Sequence, residues 1–344
     1  MTRTPLELTC AALLGLAAAL PACGGSGDGA AAPAVRIGYF ANVTHAPAIV
    51  ALEQGYLADE LGSAARVEGR TFNAGPEAVE ALFSEALDLA YIGPSPAINA
   101  FAQSGGEAIR IIAGATSGGA SLVVAPGITT PAQLAGKKLA TPQLGNTQDV
   151  ALRAWLKAQG LSTSLEGGGD VSIVPQPNAQ TLETFRAGEI QGAWVPEPWA
   201  SRLVLEGGGS VLVDERTLWP QGRFVTTHVI VRTAFLREHP ELVARFLRAH
   251  ERAVAFLNAE PEQARGIVNA AIARITGKAL PDALLERSFA GLVFTVDPIA
   301  ASLRKSAEDA TAVGLLDAVD LDGIYDLGAL NEVLAAAGRP PVSS

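Results

Sequence analysis

Short β-rich runs alternate with helical patterns along this chain, and the alternation occurs twice. From Val35 the series is VRIGYF (35–40), a helix from about Pro47 to Leu61, RVEGRTF (66–72) and a helix from about Pro76. LDLAYIG (87–93), a helix from Ser95 to Gln103 and IRIIAGAT (109–116) complete it. This spacing predicts a mostly parallel sheet with helices on both faces. A second series starts at SLVVAP (121–126) and continues with KKLATP (137–142), a helix from Thr147 to Gln159 and VSIVPQ (171–176). A helix from about Ala179, GAWVPEP (192–198) and SVLVDE (210–215) follow. A long strand, FVTTHVIVRTA (224–234), then leads into helical patterns near 241–258, 260–276, 281–292, 297–315 and 324–337, with apolar residues recurring at three and four.

Two α/β lobes joined by two extended crossings, near Leu122–Pro126 and Thr226–Val231, describe a hinged clamshell whose C-terminal helices return to cover the first lobe. The expected division is a signal segment over 1–22, a leash over 23–33, lobe I over 34–122, lobe II over 123–226 and the helical return of lobe I over 227–344. With roughly 310 residues beyond the leash, there is chain enough for two cores.

The N-terminus predicts export. Arg3, the apolar stretch Leu8–Leu20 and the small Ala22 before Cys23 make a secretory signal too short for a stable membrane anchor. Leu20-Pro21-Ala22-Cys23 resembles the lipobox of bacterial lipoproteins, which implies that Cys23 is acylated and holds the protein at a membrane outside the cytoplasm. Gly24–Pro33 has no side chains able to build a core and reads as a flexible tether. Cys10 leaves with the signal, so no thiol remains for disulfides, metal thiolates or a cysteine nucleophile. The net charge is −10, and the five lysines form no stripe, which argues against nucleic acid as a partner.

In open α/β sheets a ligand sits beyond the carboxyl ends of the strands, where helices begin. That rule selects four loops. Loop one is Tyr39–Pro47, with Pro47 suited to a first helical turn. Loop two is Gly93-Pro94-Ser95-Pro96, with Ser95 expected as N-cap and Pro96 as the first helical residue. Loop three is Ser117–Ser121, small residues beside a crossing. Loop four is Leu144–Asp149, with Asn146 as N-cap and Asp149 in capping-box position. Each helix start offers unpaired N–H groups and about half a positive charge, so several of them facing one cleft hold an anion without lysine or arginine. Hydroxyls of Ser95, Ser117 and Thr147 would add neutral donors.

The segments VRIGYFANVTHAPAIVALEQGYL, LDLAYIGPSPAINAF, LAGKKLATPQLGNTQDVALRAWLKAQGL and IQGAWVPEPWASRL resemble bacterial solute-binding proteins of ABC importers in the nitrate, taurine and aliphatic-sulfonate group. The similarity covers nearly all of 35–338. It implies a two-lobe, periplasmic-binding-protein-like (type II) fold that closes on a small anion and delivers it to a permease driven by an ATPase. Carried over by position, it puts Asn42 and His45 on the first wall, Ser95 at the second, Ser117 and Gly119 by the hinge, and Asn146, Thr147 and Gln148 opposite. Glu197, Trp199, Thr227 and His228 would complete the cleft.

Three of these residues have two readings. Glu197 either holds a ligand ammonium, as an acidic residue near this strand end does in taurine-type relatives, or caps the helix after Pro198. His228 either donates to an oxyanion or sits inside a hinge strand. Trp199 either stacks against a ligand tail or packs, as Trp155, Trp194 and Trp219 are expected to. His239 and His250 read as helix-surface residues, and Arg223 as a guanidinium near the cleft. No lysine falls on a cleft loop, which disfavours nitrate, since nitrate- and bicarbonate-binding relatives use one. An aliphatic sulfonate leads. Taurine, another oxyanion or a thiamine-pyrimidine precursor follow, and a ligand-sensing lipoprotein would have the same cleft. No nucleophile–base pair, metal-ligand spacing or phosphate loop is present in the sequence, so neither an enzyme nor a cofactor is expected. The working unit is expected to be a monomer.

Overall fold

The computed structural model describes residues 33–344, so the expected signal segment and the leash with its acylated Cys23 lie outside the described residues, Pro33 excepted. Among the described residues no helix is long and apolar enough to cross a membrane.

The first series is β1 (Ala34–Phe40), α1 (Ala46–Glu53), α2 (Tyr56–Leu61), β2 (Arg66–Phe72), α3 (Gly75–Phe83), β3 (Leu89–Ile92), α4 (Pro94–Gln103) and β4 (Ile109–Gly118). The one helix expected over 47–61 is two, because Gly55 takes left-handed backbone (φ 71°) between them. The second series is β5 (Ala120–Val124), β6 (Lys138–Thr141), α5 (Thr147–Ala158), β7 (Ser172–Pro175), α6 (Asn178–Arg186), β8 (Gly192–Pro196), α7 (Trp199–Leu205) and β9 (Ser210–Asp214). The chain returns through β10 (Val225–Arg232), α8 (Thr233–Glu238), α9 (Pro240–Ala259), α10 (Pro261–Thr276), α11 (Asp282–Ala290), β11 (Leu292–Phe294), α12 (Ala300–Ala312) and α13 (Gly328–Ala336).

These strands form two sheets, ordered β11-β4-β10-β3-β1-β2 and β7-β6-β8-β5-β9. Both are mixed, where a mostly parallel sheet was expected. The strands next to each crossing cause the difference. β1, β2 and β3 run parallel, but β10 enters antiparallel between β3 and β4. In the second sheet β6, β7 and β8 run parallel, and β5 lies antiparallel between β8 and β9. A strand that carries the chain straight from one sheet to the other arrives from the opposite end and must pair antiparallel.

The outward passage falls at Gly118-Gly119, a few residues before the expected 122, since Ala120–Leu122 already pair in the second sheet. Both glycines have positive φ (80° and 76°), a region costly for residues with a Cβ. A side chain at either position would also meet the Gly291–Leu292 segment leading into β11.

Helices cover both faces of each sheet. Lobe I has one apolar cluster under α1, α9, α10 and α13 and another under α3, α4 and α12. Lobe II repeats this with clusters centred on Trp155 and Trp194 and on Leu182 and Phe185. Strands buried on both faces read as continuous apolar runs, as β3 and β8 do. His250, expected on a helix surface, is instead fully buried on the face of α9 that meets the first sheet. It contacts the Tyr91 hydroxyl at 3.0 Å and the Gly114 carbonyl at 2.8 Å. His239 is half-exposed at the start of α9, in keeping with its expected place.

Candidate functional site

Where the carboxyl ends of β1, β3 and β8 and the amino end of the antiparallel β10 face the start of α5, the lobes enclose a cavity of about 30 Å³. Its lining includes Asn42, Thr44 and His45 from the turn before α1, Gly93 and Pro96 at α4, Thr226 and Thr227 on β10, and Asn146, Thr147 and Gln148 at α5. Among the described residues that line it there is no lysine, arginine or carboxylate.

Local bonding fixes each wall. After β1 the chain makes a single 3₁₀ turn over Val43–His45, closed by the His45 N–H on the Asn42 carbonyl at 3.0 Å. The Thr44 carbonyl accepts hydroxyls from Thr116 (2.7 Å) and Thr227 (3.0 Å), which ties this turn to two central strands. Thr227 thus reaches the lining with its own proton already used. His45 is buried, packs at a tilt against the Phe40 ring and accepts the Phe40 N–H on Nδ1 at 3.4 Å. Burial pulls its pKa down to about 3, so it is a neutral ring whose remaining proton sits on Nε2 as a donor.

On the opposite wall, Asn146 caps α5: its Oδ1 accepts the Asp149 N–H at 2.9 Å, and its Nδ2 donates to Gln148 Oε1 at 3.1 Å. Asp149 reaches back to the Gly145 N–H instead of the N-cap amide, and also takes the Thr141 hydroxyl and Arg153. Its charge is therefore spent locally. Thr147 Oγ1 is buried without a partner, and a Cβ built on Gly93 would collide with it. The lack of a side chain on Gly93 is what lets Thr147 of the other lobe approach this turn.

Loop two differs from its expectation. Gly93 is the N-cap, Pro94 opens α4, and Ser95 is the second helical residue, because the helix begins at the earlier of the two prolines. Ser95 lies behind the cavity lining, buried, with its hydroxyl also unpartnered.

Asn42, His45, Asn146, Thr147, Gln148 and Thr227 are brought together in this cavity, and the other candidates are not. Ser117 and Arg223 line a groove on the hinge side, where Arg223 pairs with Asp297 at 2.8 Å. Gly119 and Glu197 line another hinge-side pocket. Glu197 caps α7, accepting the Ser201 N–H and hydroxyl at 3.0 Å each, and burial pushes its pKa up to about 7. His228 is buried on β10, with Nε2 on the Pro298 carbonyl at 3.0 Å and its pKa lowered to about 4 by burial. That is the hinge-strand reading.

Trp199 stands just outside the cavity and donates its indole N–H to Asn42 Oδ1 at 3.0 Å, bridging the lobes. It lines a larger chamber at the cleft mouth that also holds Asn178, Arg202 and Lys278. Lys278 is on none of the four loops selected from the sequence, and it reaches only this outer chamber. It follows α10, far from any loop that strand-end reasoning selects, and only the return of that helix across the lobe brings it there. Thr44, Gly93 and Thr226 were also missed as lining residues, although Gly93 sits inside loop two.

The model of the NMT1-like family matches residues 28–273. The chain belongs to the NMT1-like family. This NMT1-like chain is 31% identical over 213 residues to the taurine-binding periplasmic protein of Escherichia coli, covering 62% of its own length and 63% of that relative's. In fold it is similar to the alkanesulfonate-binding protein SsuA from Xanthomonas axonopodis pv. citri bound to MOPS, with TM-score 0.68 and 24% identity over 84% of this chain and 96% of that one. It is likewise similar to the periplasmic nitrate-binding protein NrtA from Synechocystis PCC 6803, with TM-score 0.72 and 18% identity over 90% of each chain. These likenesses agree with the two-lobed architecture, and these relatives bear the names of binding proteins.

Proposed function

We propose that this protein captures a small organic anion, an aliphatic sulfonate foremost, in the cavity between its lobes and delivers it to the permease of an ABC importer. It would work outside the cytoplasm, tethered through an acylated Cys23. The carrying observation is the buried, unpartnered Thr147 Oγ1 beside neutral donors from both lobes, with no charged side chain in the lining. A buried hydroxyl without a partner costs about 1–3 kcal/mol, and a ligand oxygen would remove that cost. A sulfonate suits such a site: it is a permanent anion with three acceptor oxygens, and neutral donors satisfy it without a competing counter-charge.

Closure follows from the same geometry. Each lobe carries half of the donors, so only the closed form contacts the ligand fully and binding shifts the population toward it. The closed surface is then what a permease would read.

The small cavity supports a second reading, a compact inorganic oxyanion such as nitrate or sulfate. Taurine is less well served, because Glu197 is turned to Ser201 and Asp149 to Arg153, leaving no carboxylate for its ammonium. A thermal-shift and calorimetric screen over ethanesulfonate, longer alkanesulfonates, taurine, nitrate and sulfate tests these readings. A native-state ligand at a hundred times its Kd adds about 2.7 kcal/mol of stability. The expected result is stabilisation by alkanesulfonates above the rest. If no anion in the screen raises the melting temperature, the proposal fails.

A further inference from the structure

The inner cavity and the mouth chamber differ greatly in size, about 30 Å³ against about 520 Å³, and Asn42 lines both. A space of about 30 Å³ accommodates little beyond a few water-sized groups. Once a sulfonate head is seated, its carbon chain must therefore leave the inner cavity, and Asn42 with its Trp199 bond stands on the side of the larger space. Both lobes build that space. Thr71–Asn73 and the end of α10 contribute from lobe I, and Asn178, Trp199 and Arg202 from lobe II, so the chamber closes with the cleft.

Its chemistry is specific. Arg202 grips both oxygens of Glu206 at 3.1 Å and lies 4.6 Å from the Trp199 ring centre, and Arg186 adds a longer contact to the same carboxylate at 3.9 Å. Lys278 makes no close ion pair among the described residues, and although Glu206 feels its charge, Arg202 already offsets that carboxylate, so the chamber lining is net positive. Asn178 is 8% exposed, and its Oδ1 is buried without a partner. Ile272, Ile275 and Leu280 supply apolar surface beside these groups.

We propose that this chamber is a tail subsite for the same ligand, taking an organosulfonate whose apolar body lies along Trp199 and Ile275 and whose far end carries a second anionic group held by Lys278. The inference rests on the anion-capturing role above and adds to it a class of ligand: bifunctional, with an anion at each end. Asn42 and Trp199 then act as the sill between head and tail, and their hydrogen bond opens when a long ligand enters.

The test is calorimetry on the soluble exported chain with ω-sulfocarboxylates of two to six carbons, each compared with the alkanesulfonate of equal length. Ethanesulfonate reads the head site alone. Beyond a threshold length the distal carboxylate is expected to improve affinity about two- to fivefold, as a partly exposed ion pair does, and added salt should erode that gain. In Lys278→Met, a substitution at an exposed position, the ratio should fall to one. If ethanesulfonate binds but no chain length shows the gain, or if Lys278→Met keeps it, the tail subsite is overturned while the head site stands. If no sulfonate binds at all, both fall together.

Discussion

The two walls of the cleft are both made of helix starts, yet they differ in what those starts can donate. On the lobe I wall, Pro47 occupies the first turn of α1, and Pro94 and Pro96 flank Ser95 in α4. Proline has no N–H, so α4 offers one amide where a proline-free helix start would offer three. On the lobe II wall α5 begins Thr147-Gln148-Asp149, with Asn146 occupied on Asp149 and the amides of Thr147 and Gln148 outside the helical ladder. A helix N-terminus is therefore an anion site only to the extent that its first residues keep their protons. On the proposed reading, lobe I would offer shape with the His45 and Asn42 side-chain donors, and lobe II the free amides and the hydroxyl at the start of α5.

Buried ionisable groups divide along the same line. Lobe I holds His45, His228 and His250 at pKa values of about 3, 4 and 4, and lobe II holds Glu197 and Glu215 at about 7, all through burial. A histidine held below its ordinary 6.5 stabilises the fold above that pH and loses this contribution as the pH falls, because the unfolded chain takes up the proton. A glutamate held above its ordinary 4.5 contributes fully below pH 4.5 and loses its share as the pH rises through 7. Between these limits three histidine protons oppose two glutamate protons, leaving a net of one, at about 1.4 kcal/mol per pH unit. Stability should peak near pH 6.5 and fall most steeply below pH 4.5, several kcal/mol in all. Hydrogen exchange should show lobe I losing protection first in acid and lobe II first toward pH 8. The reverse order would break the division.

Gly93→Val probes the place where the walls meet. Its backbone is extended (φ −72°, ψ 161°), so valine fits the open chain, but the added side chain would occupy the position of Thr147 Oγ1 in the closed form. Overpacking of this kind costs about 1–3 kcal/mol, so affinity should weaken about 10- to 100-fold with the melting temperature of the ligand-free protein nearly unchanged. Scattering would show a ligand-saturated variant that stays expanded. Wild-type affinity would mean that the lobes do not close at this point.

How much of this was legible from sequence follows from what each feature depends on. The strand–helix order and the Asn146 cap are local: periodicity and one side chain three residues from its amide are enough. The mixed sheets depend on where β5 and β10 insert, a matter of chain path that periodicity does not carry. Glu197 looked ambiguous because a strand end preceding a helix suits a cap and a ligand equally. The Ser201 hydroxyl, four residues on, decides for the cap. His250 was misplaced because α9 crosses lobe I, and which of its faces lies inward is set by Tyr91 and Gly114, each more than a hundred residues away. Lys278 was passed over because it follows α10, and nothing local to it shows that the end of that helix returns to the cleft mouth.

The smallest predicted effect sharpens the contrast between the walls most directly. Asn146→Ala with Thr147→Ala removes the α5 cap and the unpartnered hydroxyl, at about 0.5–2 kcal/mol of stability for the cap. Ser95→Ala removes a hydroxyl that is equally buried and equally unpartnered, but it lies behind the lining of a wall stripped of amides by Pro94 and Pro96. Calorimetry with an alkanesulfonate should therefore find the lobe II pair weakened severalfold and Ser95→Ala weakened less. If the order is reversed, the prolines of α4 do not impoverish that wall, and the donors that matter belong to lobe I. Because the pair also shortens the helix, Thr147→Ser serves as the control: it keeps the hydroxyl and the amide, loses one methyl, and should bind close to wild type.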